Sequence, residues 1–388
     1  MKSTPNSIGE GSRKRALFLC GMPELARFEL FALRIPLKAP FITSLGALHE
    51  VESVILRATA RDGLVGWGEC NPFWPINGET QETGLAVGKH LAKSLIGLEA
   101  GAIEEAHAVM DRLIFGNSSI KSAFDVALHD IAAQQAGMSL HRFLGASANR
   151  PLITDYTVSL GAPEKMAADA RSIVRDGFRV VKVKLGGAPE EDIRRVSAIR
   201  EAIGDPVPLR IDANQGWTPQ QAIVVLNALG DANIQHCEEP IPRWQFMELR
   251  RVREASPIPI MADESCFDHR DAERLIALGA CDRFNIKLGK SGGLHKARKI
   301  IALAEQAGME VQIGGFLESR LAWTAAAHLS LMSDAVRYCD MDTPLMFASD
   351  PVQGGISYGP GGIITLPEEP GLGASLDPAC LQGGIEVT

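Results

Sequence analysis

The chain has 388 residues, 46% hydrophobic and 22% charged, with 47 Asp and Glu against 39 Lys and Arg for a formal charge of -8. That acidic balance argues against nucleic acid or an anionic membrane surface as the main partner, and the length asks for two or three domains rather than one small core. Seven scattered cysteines with no C-x-x-C pair point to neither a disulfide framework nor a zinc site, so a reduced, cytoplasmic setting is expected.

Residues 1–24 read as a disordered tail. Arg13, Lys14 and Arg15 precede a short apolar run at 16–22, which is at the lower limit for a signal peptide and lacks a clean cleavage site. No run reaches the length of a membrane span. Beyond the tail, β-rich runs at 27–37 and 49–70 enclose a hairpin turn at Arg61-Asp62-Gly63. Apolar residues at three- and four-residue steps then predict helices over 80–97, 102–114 and 119–136. Together these predict an α+β domain over 25–150.

From Leu152 the pattern changes to strand and helix in strict alternation. Strand-like runs at 153–160, 179–185, 207–212, 234–238, 258–263, 283–288, 310–315 and 336–340 are separated by amphipathic stretches, the first being Pro163 to Arg175. Eight strands with seven helices between them predict an α/β fold, a modified (β/α)7β barrel over 151–350 capped by the α+β domain. After Asp342 Gly and Pro dominate, so no regular eighth helix is expected, and 351–388 should return to the capping domain.

Chemistry-bearing residues stand at the strand ends. Lys184, Asp212, Glu238, Asp263, Lys287, Gly315 and Asp340 follow one another at intervals of 28, 26, 25, 24, 28 and 25 residues, and barrels of this kind build their active sites at the carboxyl ends of their strands. Period two puts Lys182 and Lys184 on one inward face, and likewise Asn285 and Lys287. A solvated edge would be the ordinary home for such lysines, but Val180, Val181, Val183 and Leu185 make this strand apolar. Strands two and six would bring the two lysines face to face. Asp212, Glu238 and Asp263 fill the arc between them, and three convergent carboxylates suit a hard divalent cation such as Mg²⁺. Taken alone, Asp212 could be a helix cap before Asn214. His236 reads as a packed barrel residue, and Cys237 and Cys339 lack any base at a recognisable spacing. Asp340 and Asp342 share a face after strand eight, where they would repel a phosphate and welcome an ammonium.

Lys182-Val-Lys184, Asp212-Ala-Asn-Gln-Gly216, Glu238-Glu-Pro240, Met261-Ala-Asp-Glu-Ser265 and Ile286-Lys-Leu-Gly-Lys-Ser-Gly-Gly293 resemble the enolase superfamily in its muconate-lactonizing subgroup. The likeness spans about residues 25–375 and includes Gly66-Trp-Gly-Glu69 and Ile120-Lys-Ser-Ala-Phe-Asp125 of the capping domain. Asp340-Met-Asp342-Thr-Pro-Leu-Met346 is similar to the dipeptide epimerases within that subgroup. The resemblance implies Mg²⁺ on Asp212, Glu238 and Asp263, with Lys184 and Lys287 as the two acid/base catalysts. Lys182 would assist the substrate carboxylate. Asp340 and Asp342 would hold the free ammonium, and Thr157 and the backbone around Gly315 and Leu317 would touch the peptide.

Family members acting on Ala-Glu carry a capping-loop Arg where this chain has Gly46. Pro40-Phe-Ile-Thr-Ser-Leu-Gly-Ala-Leu48 and Phe73-Trp-Pro-Ile76 instead predict a small or apolar side-chain pocket. The implied reaction is epimerisation of the C-terminal residue of an Ala-Ala-like dipeptide by two-base 1,1-proton transfer through an enolate. Burial, the neighbouring ammonium of Lys182 and a metal close by are expected to lower the Lys184 pKa. A homo-oligomer with no nucleic-acid or membrane partner is expected. Alternative readings are o-succinylbenzoate synthase or N-acylamino acid racemase, which share the lysines and acids, and a Schiff-base aldolase.

Overall fold

The computed structural model describes residues 21–388. The tail expected over 1–24 therefore lies outside the described residues up to position 20; from there Pro23 accepts a bond from Ala100 N and Glu24 bridges Glu99.

Alternating apolar residues build an antiparallel meander of β1 (Leu25–Thr43), β2 (Gly46–Ala60) and β3 (Val65–Cys70). The sequence reading ends the first strand near residue 37. In the structure the ladder shifts between Pro36 and Phe41, then re-forms as Phe41 with Leu48, Ile42 with Ala47 and Thr43 with Gly46. Pro36 and Pro40 have no N–H to donate, which explains the break. Beyond them the capping loop is itself a tight hairpin tip. Gly46 sits there at φ 134°, a conformation that disfavours any side chain.

The three predicted helices are α1 (Gln81–Leu95), α2 (Ile103–Leu113) and α3 (Ser118–Gln135). α3 has almost no solvent face, being buried from Ser119 to Ala133. It lies directly on β3, where a Cβ added at Gly68 would stand 1.9 Å from the Ala123 carbonyl oxygen.

The second sheet has eight strands in sequence order: β4 (Tyr156–Val158), β5 (Val181–Lys184), β6 (Leu209–Asp212), β7 (Ile234–Glu238), β8 (Ile260–Ala262), β9 (Arg283–Lys287), β10 (Glu310–Gly314) and β11 (Val336–Cys339). All neighbours are parallel, and a parallel bridge from Thr154 to Cys339 joins the first strand region to the last. The helices between them are α4 (Pro163–Arg175), α5 (Pro189–Ile203), α6 (Pro219–Ala228), α7 (Phe246–Ala255), α8 (His269–Leu278), α9 (Leu294–Ala307) and α10 (Arg320–Ser330). α4, α5 and α6 each begin with Pro, whose missing N–H costs nothing in the first turn. The first expected strand is divided, because Leu152–Ile153 pairs with Ile363–Thr365 and not with the barrel. Beyond Cys339 the described chain consists of 3₁₀ turns and short strands, the last of which, β12 (Ile385–Val387), pairs antiparallel with β1.

Two buried carboxylates join the sheets. Glu69 accepts bonds from Ser319 N and Oγ and from Ala322 N at the start of α10. Asp125 accepts from Leu294 N and His295 N at the start of α9 and from His107 Nε2 at 2.7 Å. Both place negative charge at a helix N-terminus. No helix among the described residues is long and apolar enough to cross a membrane. The described cysteines are all unpaired, and all but Cys380 are buried.

Gly68→Ala should destabilise the protein by about 1–3 kcal/mol, because α3 has to move to admit the methyl group. The urea midpoint should fall accordingly; an unchanged midpoint would mean that the strand and helix are less closely apposed.

Candidate active site

Alternation along the barrel strands turns an unusual set of polar side chains inward. Glu238 lies at their centre, fully buried, accepting Lys182 Nζ at 2.8 Å, Asn285 Nδ2 at 2.9 Å and Gln312 Nε2 at 3.2 Å. Lys182 Nζ also reaches Asp340 Oδ2 at 2.6 Å and Asp212 Oδ2 at 3.3 Å. Lys184 Nζ donates to Asp212 Oδ2 at 2.6 Å, and Lys287 Nζ lies 2.8 Å from Asp263 Oδ2. The cap reading of Asp212 is realised by its other oxygen, since Oδ1 accepts Asn214 N at 2.8 Å. One carboxylate thus shapes its own loop and still faces two lysines.

Burial alone would raise the Glu238 pKa, but Lys182, Lys287 and Lys184 overrule it and hold the carboxyl well below its usual range. Burial pulls Lys182 and Lys287 down, while the surrounding carboxylates, led by Asp340 for Lys182 and Asp263 for Lys287, push both up. Carboxylates at 2.6–2.8 Å outweigh the neighbouring ammonium groups. His236 is fully buried among barrel residues, stacks edge-on with Tyr338 at 5.2 Å, and is held neutral by burial and then Arg210. Burial also raises the Cys237 thiol well above its usual value and Cys339 to about 11, which leaves neither as a nucleophile at neutral pH.

Thr157, Lys182, Lys184, Lys287, Gly315, Leu317, Asp340 and Asp342 all line one cavity at the carboxyl ends of the strands. Asp212, Glu238 and Asp263 lie beneath it with no exposed surface. The hairpin tip contributes Phe41, Leu45 and Leu48 to its wall and the second capping loop Phe73 and Ile76. Lys184 Nζ lies 5.8 Å from the Phe41 ring centre and Lys287 Nζ 5.1 Å from that of Phe316. Gly46 is not part of the wall, and Lys38 is committed to the Leu345 carbonyl at 2.9 Å, so neither supplies a cation there.

Lys290 escaped the sequence reading, although it stands three residues past Lys287. It is buried on the turn after β9 and donates to Asp263 Oδ1, the Asp263 carbonyl and Asn285 O. Arg210, Gln312 and Asp155 were also missed. Period two would have found them, since they sit two residues before Asp212, Gly314 and Thr157.

The donor set fits a hard divalent cation. Three carboxylates come from adjacent strand ends, and Asp263 Oδ2 is buried without a hydrogen bond, with Lys287 Nζ 2.8 Å away. Another acidic group, Asp155, Asp340 and Asp342, has its ligand atoms within 4.8 Å of one another. In that group Asp155 is fixed by Arg210 at 2.6 Å and Asp342 by Thr157 N at 2.7 Å.

Residues 165–380 match the enolase C-terminal domain-like family, and residues 27–145 match the mandelate racemase / muconate lactonizing enzyme N-terminal domain. The D-Ala-D/L-Ala epimerase of Cytophaga hutchinsonii is 52% identical over 92% of this chain and 98% of its own length. The L-Ala-D/L-Glu epimerase of Clostridium acetobutylicum is 39% identical over 88% of this chain and 96% of that protein. A crystal structure of the Cytophaga hutchinsonii dipeptide epimerase with Mg and D-Ala-L-Val superposes with a TM-score of 0.92 at 52% identity, covering 94% of this chain and 99% of that one.

Glu318 lies behind the loop that carries Gly315 and Leu317. Burial, reinforced by Glu69, raises its pKa to about 8. A carboxyl raised from 4.5 in the unfolded chain stabilises the fold at low pH, and that contribution is lost as pH rises through about 8. Glu318→Gln should therefore gain in melting temperature relative to the parent between about pH 5 and pH 9. A difference that is constant with pH would mean that Glu318 does not carry the proton.

Proposed function

The chain belongs to the mandelate racemase/muconate lactonizing enzyme family of the enolase superfamily, and on that premise we propose that it is a Mg²⁺-dependent dipeptide epimerase acting on the C-terminal α-carbon of small or apolar dipeptides. The observation that carries this reading is the pair of lysines at the ends of β5 and β9, the second and sixth of eight strands, facing one cavity from opposite sides.

Asp212, Glu238 and Asp263 would hold Mg²⁺. The lysine ammonium groups that now balance these acids reach them on flexible stems, whereas Asp155 and Asp342 are tied to a guanidinium and a backbone N–H. Bound there, the cation supplies positive charge against the negative charge that the substrate carboxylate gains as its α-proton leaves. Lys182 stands beside the same acids and would bind that carboxylate. Lys184 and Lys287 would work on opposite faces, one taking the α-proton and the other returning one, with no net change in atoms or charge. Thr157 and the backbone at Gly315 and Leu317 would orient the peptide, although the Leu317 carbonyl already accepts Asn71 Nδ2 at 2.8 Å. Asp340 and Asp342 would hold the free ammonium opposite the apolar wall of Phe41, Leu48, Phe73 and Ile76. The same reading takes 25–150 as a capping domain, 151–350 as the barrel and 351–388 as the returning segment. It also takes the protein as a cytoplasmic homo-oligomer without a nucleic-acid partner.

A screen of free dipeptides in D₂O, followed by mass for α-deuteration, tests the reaction class. Ala-Ala should exchange, and no exchange on any free dipeptide would remove the reading. Thorough chelation should abolish the exchange and Mg²⁺ restore it; undiminished turnover without a divalent ion would exclude the three-carboxylate site.

Lys184→Ala and Lys287→Ala should each abolish epimerisation, at a cost of at least the ~100- to 10,000-fold that a positioned acid or base supplies. Each variant should retain α-proton exchange on only one stereoisomer, and on opposite ones. A single variant exchanging both isomers at the parent rate would sink the two-base assignment.

Specificity should follow the two acids and the apolar wall. Ala-Ala should exceed both N-acetyl-Ala-Ala and Ala-Glu in kcat/KM. A charge-assisted hydrogen bond is worth about 1.5–3 kcal/mol, so Asp342→Asn should lower kcat/KM on Ala-Ala by roughly 10- to 150-fold and matter little for the acetylated compound. Equal losses on both substrates would make Asp342 a structural residue.

A further inference from the structure

Asp155 precedes β4, on the same face as Thr157, and does not line the cavity. It is fully buried just behind the two acids of the ammonium subsite. Its Oδ2 accepts Arg210 Nη1 at 2.6 Å, and its Oδ1 is buried with no hydrogen-bond partner. Asp340 and Asp342 each have one oxygen tied to the scaffold, to Lys182 at 2.6 Å and to Thr157 N at 2.7 Å. All three acids bring a ligand oxygen within 4.8 Å of the other two.

The charges around this group do not cancel. Arg210 on β6 faces Asp155, and Lys182 on β5 faces Asp340 but also serves Glu238 and Asp212. Burial raises Asp340, but Lys182 and Lys184 on β5 outweigh burial and Glu238 on β7 and hold its carboxyl below the usual range. Tyr156 on β4 and Tyr358 face Asp342 and are both raised first by burial, so neither offers a charge at neutral pH. Three carboxylates thus share one dedicated cation and part of another. A buried carboxylate oxygen without a partner is costly, and it can be relieved by a proton or by a cation. Burial and then Asp340 raise Asp342 to about 7, and burial with Asp340 raises Asp155 well above its usual value.

We propose that Asp155 is a positioning residue acting through Asp342: the two share one proton beside the ionised Asp340 in the free enzyme, and the incoming ammonium expels it to solvent. Dipeptide binding is then coupled to proton release. The inference rests on the ammonium reading of Asp340 and Asp342 but adds a third acid and a proton to it. With the proton bound in the free enzyme and lost in the complex, affinity is highest between about pH 7, where the acids have lost the shared proton, and the pKa of the dipeptide amine, and it falls as pH drops below about 7. The dipeptide amine, with a pKa of about 7.7–8.0, stays charged over that range.

Calorimetric titration of the Mg²⁺-loaded enzyme with an epimer-equilibrated mixture of Ala-Ala stereoisomers, in two buffers of different ionisation heat, measures the proton directly. At about pH 6 the apparent enthalpy should track the buffer, with release approaching about one proton per site. KM should rise by up to about tenfold per pH unit below pH 7 without a matching change in kcat. Asp155→Asn keeps an acceptor for Arg210 but removes the third charge, so proton release should shrink and the KM profile flatten. A merely structural role would shift KM by one factor at every pH. Buffer-independent binding heat in the parent enzyme, or parent-like proton release in Asp155→Asn, would overturn the proposal. These outcomes are separate from the deuteration screen: exchange without proton release defeats only this inference, whereas no exchange on any free dipeptide defeats the ammonium reading and this inference with it.

Discussion

Everything at the top of this barrel depends on balancing charge on side chains buried from bulk solvent. An isolated carboxylate buried in protein costs several kcal/mol unless it is paired and hydrogen-bonded, and here Asp212, Glu238 and Asp263 are all fully buried. The strands solve this by alternation. Each acid at a strand end has a lysine in the same ring, and Glu238 adds two amide donors from β9 and β10. The acids and lysines are therefore not separable features. A ring able to hold three carboxylates without cost would have no need of opposed ammonium groups, and a ring of lysines alone would be equally unstable. The same electrostatic necessity that keeps the fold intact also brings lysine ammonium groups to two sides of one cavity.

The capping domain is held to this ring by the same chemistry in another form. Glu69 and Asp125 come from β3 and α3 and end at the first turns of α10 and α9, where the orphan backbone N–H groups of those helices would otherwise be unsatisfied. α9 follows the strand that carries Lys287, and α10 follows the loop that carries Gly315 and Leu317. The capping domain thus contributes more than a lid, because it completes two of the helices that orient the site.

Much of this was legible in the sequence, because the governing periods are simple. Strand alternation located Lys182 and Lys184, and the interval of about one β/α unit located each acid in turn. What escaped reading has physical reasons. Lys290 lies on a short helical turn directly after β9, where period two no longer applies, so its burial against Asp263 could not be inferred from spacing. The sequence reading takes 40–48 as a loop because Pro36 and Pro40 interrupt the ladder without ending it. Asp155 shares the period-two face of Thr157, but it lies where the chain passes from the short pairing of Leu152–Ile153 to the barrel strand, a division that obscures where the strand begins.

The hairpin tip is also attached to the ring below it. Ser44 Oγ donates to the carbonyls of both Ala213 and Asn214, the two residues that follow Asp212. The apolar wall of the cavity and the loop that carries one of the central acids therefore share a bond. Divergence of substrate preference along this lineage is constrained accordingly. Exchanging side chains at Phe41, Leu45 or Leu48 leaves the attachment in place, whereas lengthening or shortening the tip would carry Ser44 away and disturb Asp212. Relatives with different preferences should thus retain the length of this hairpin and vary the identities along it, and a transplanted tip of another length would bring its new selectivity at the expense of the acid beneath it.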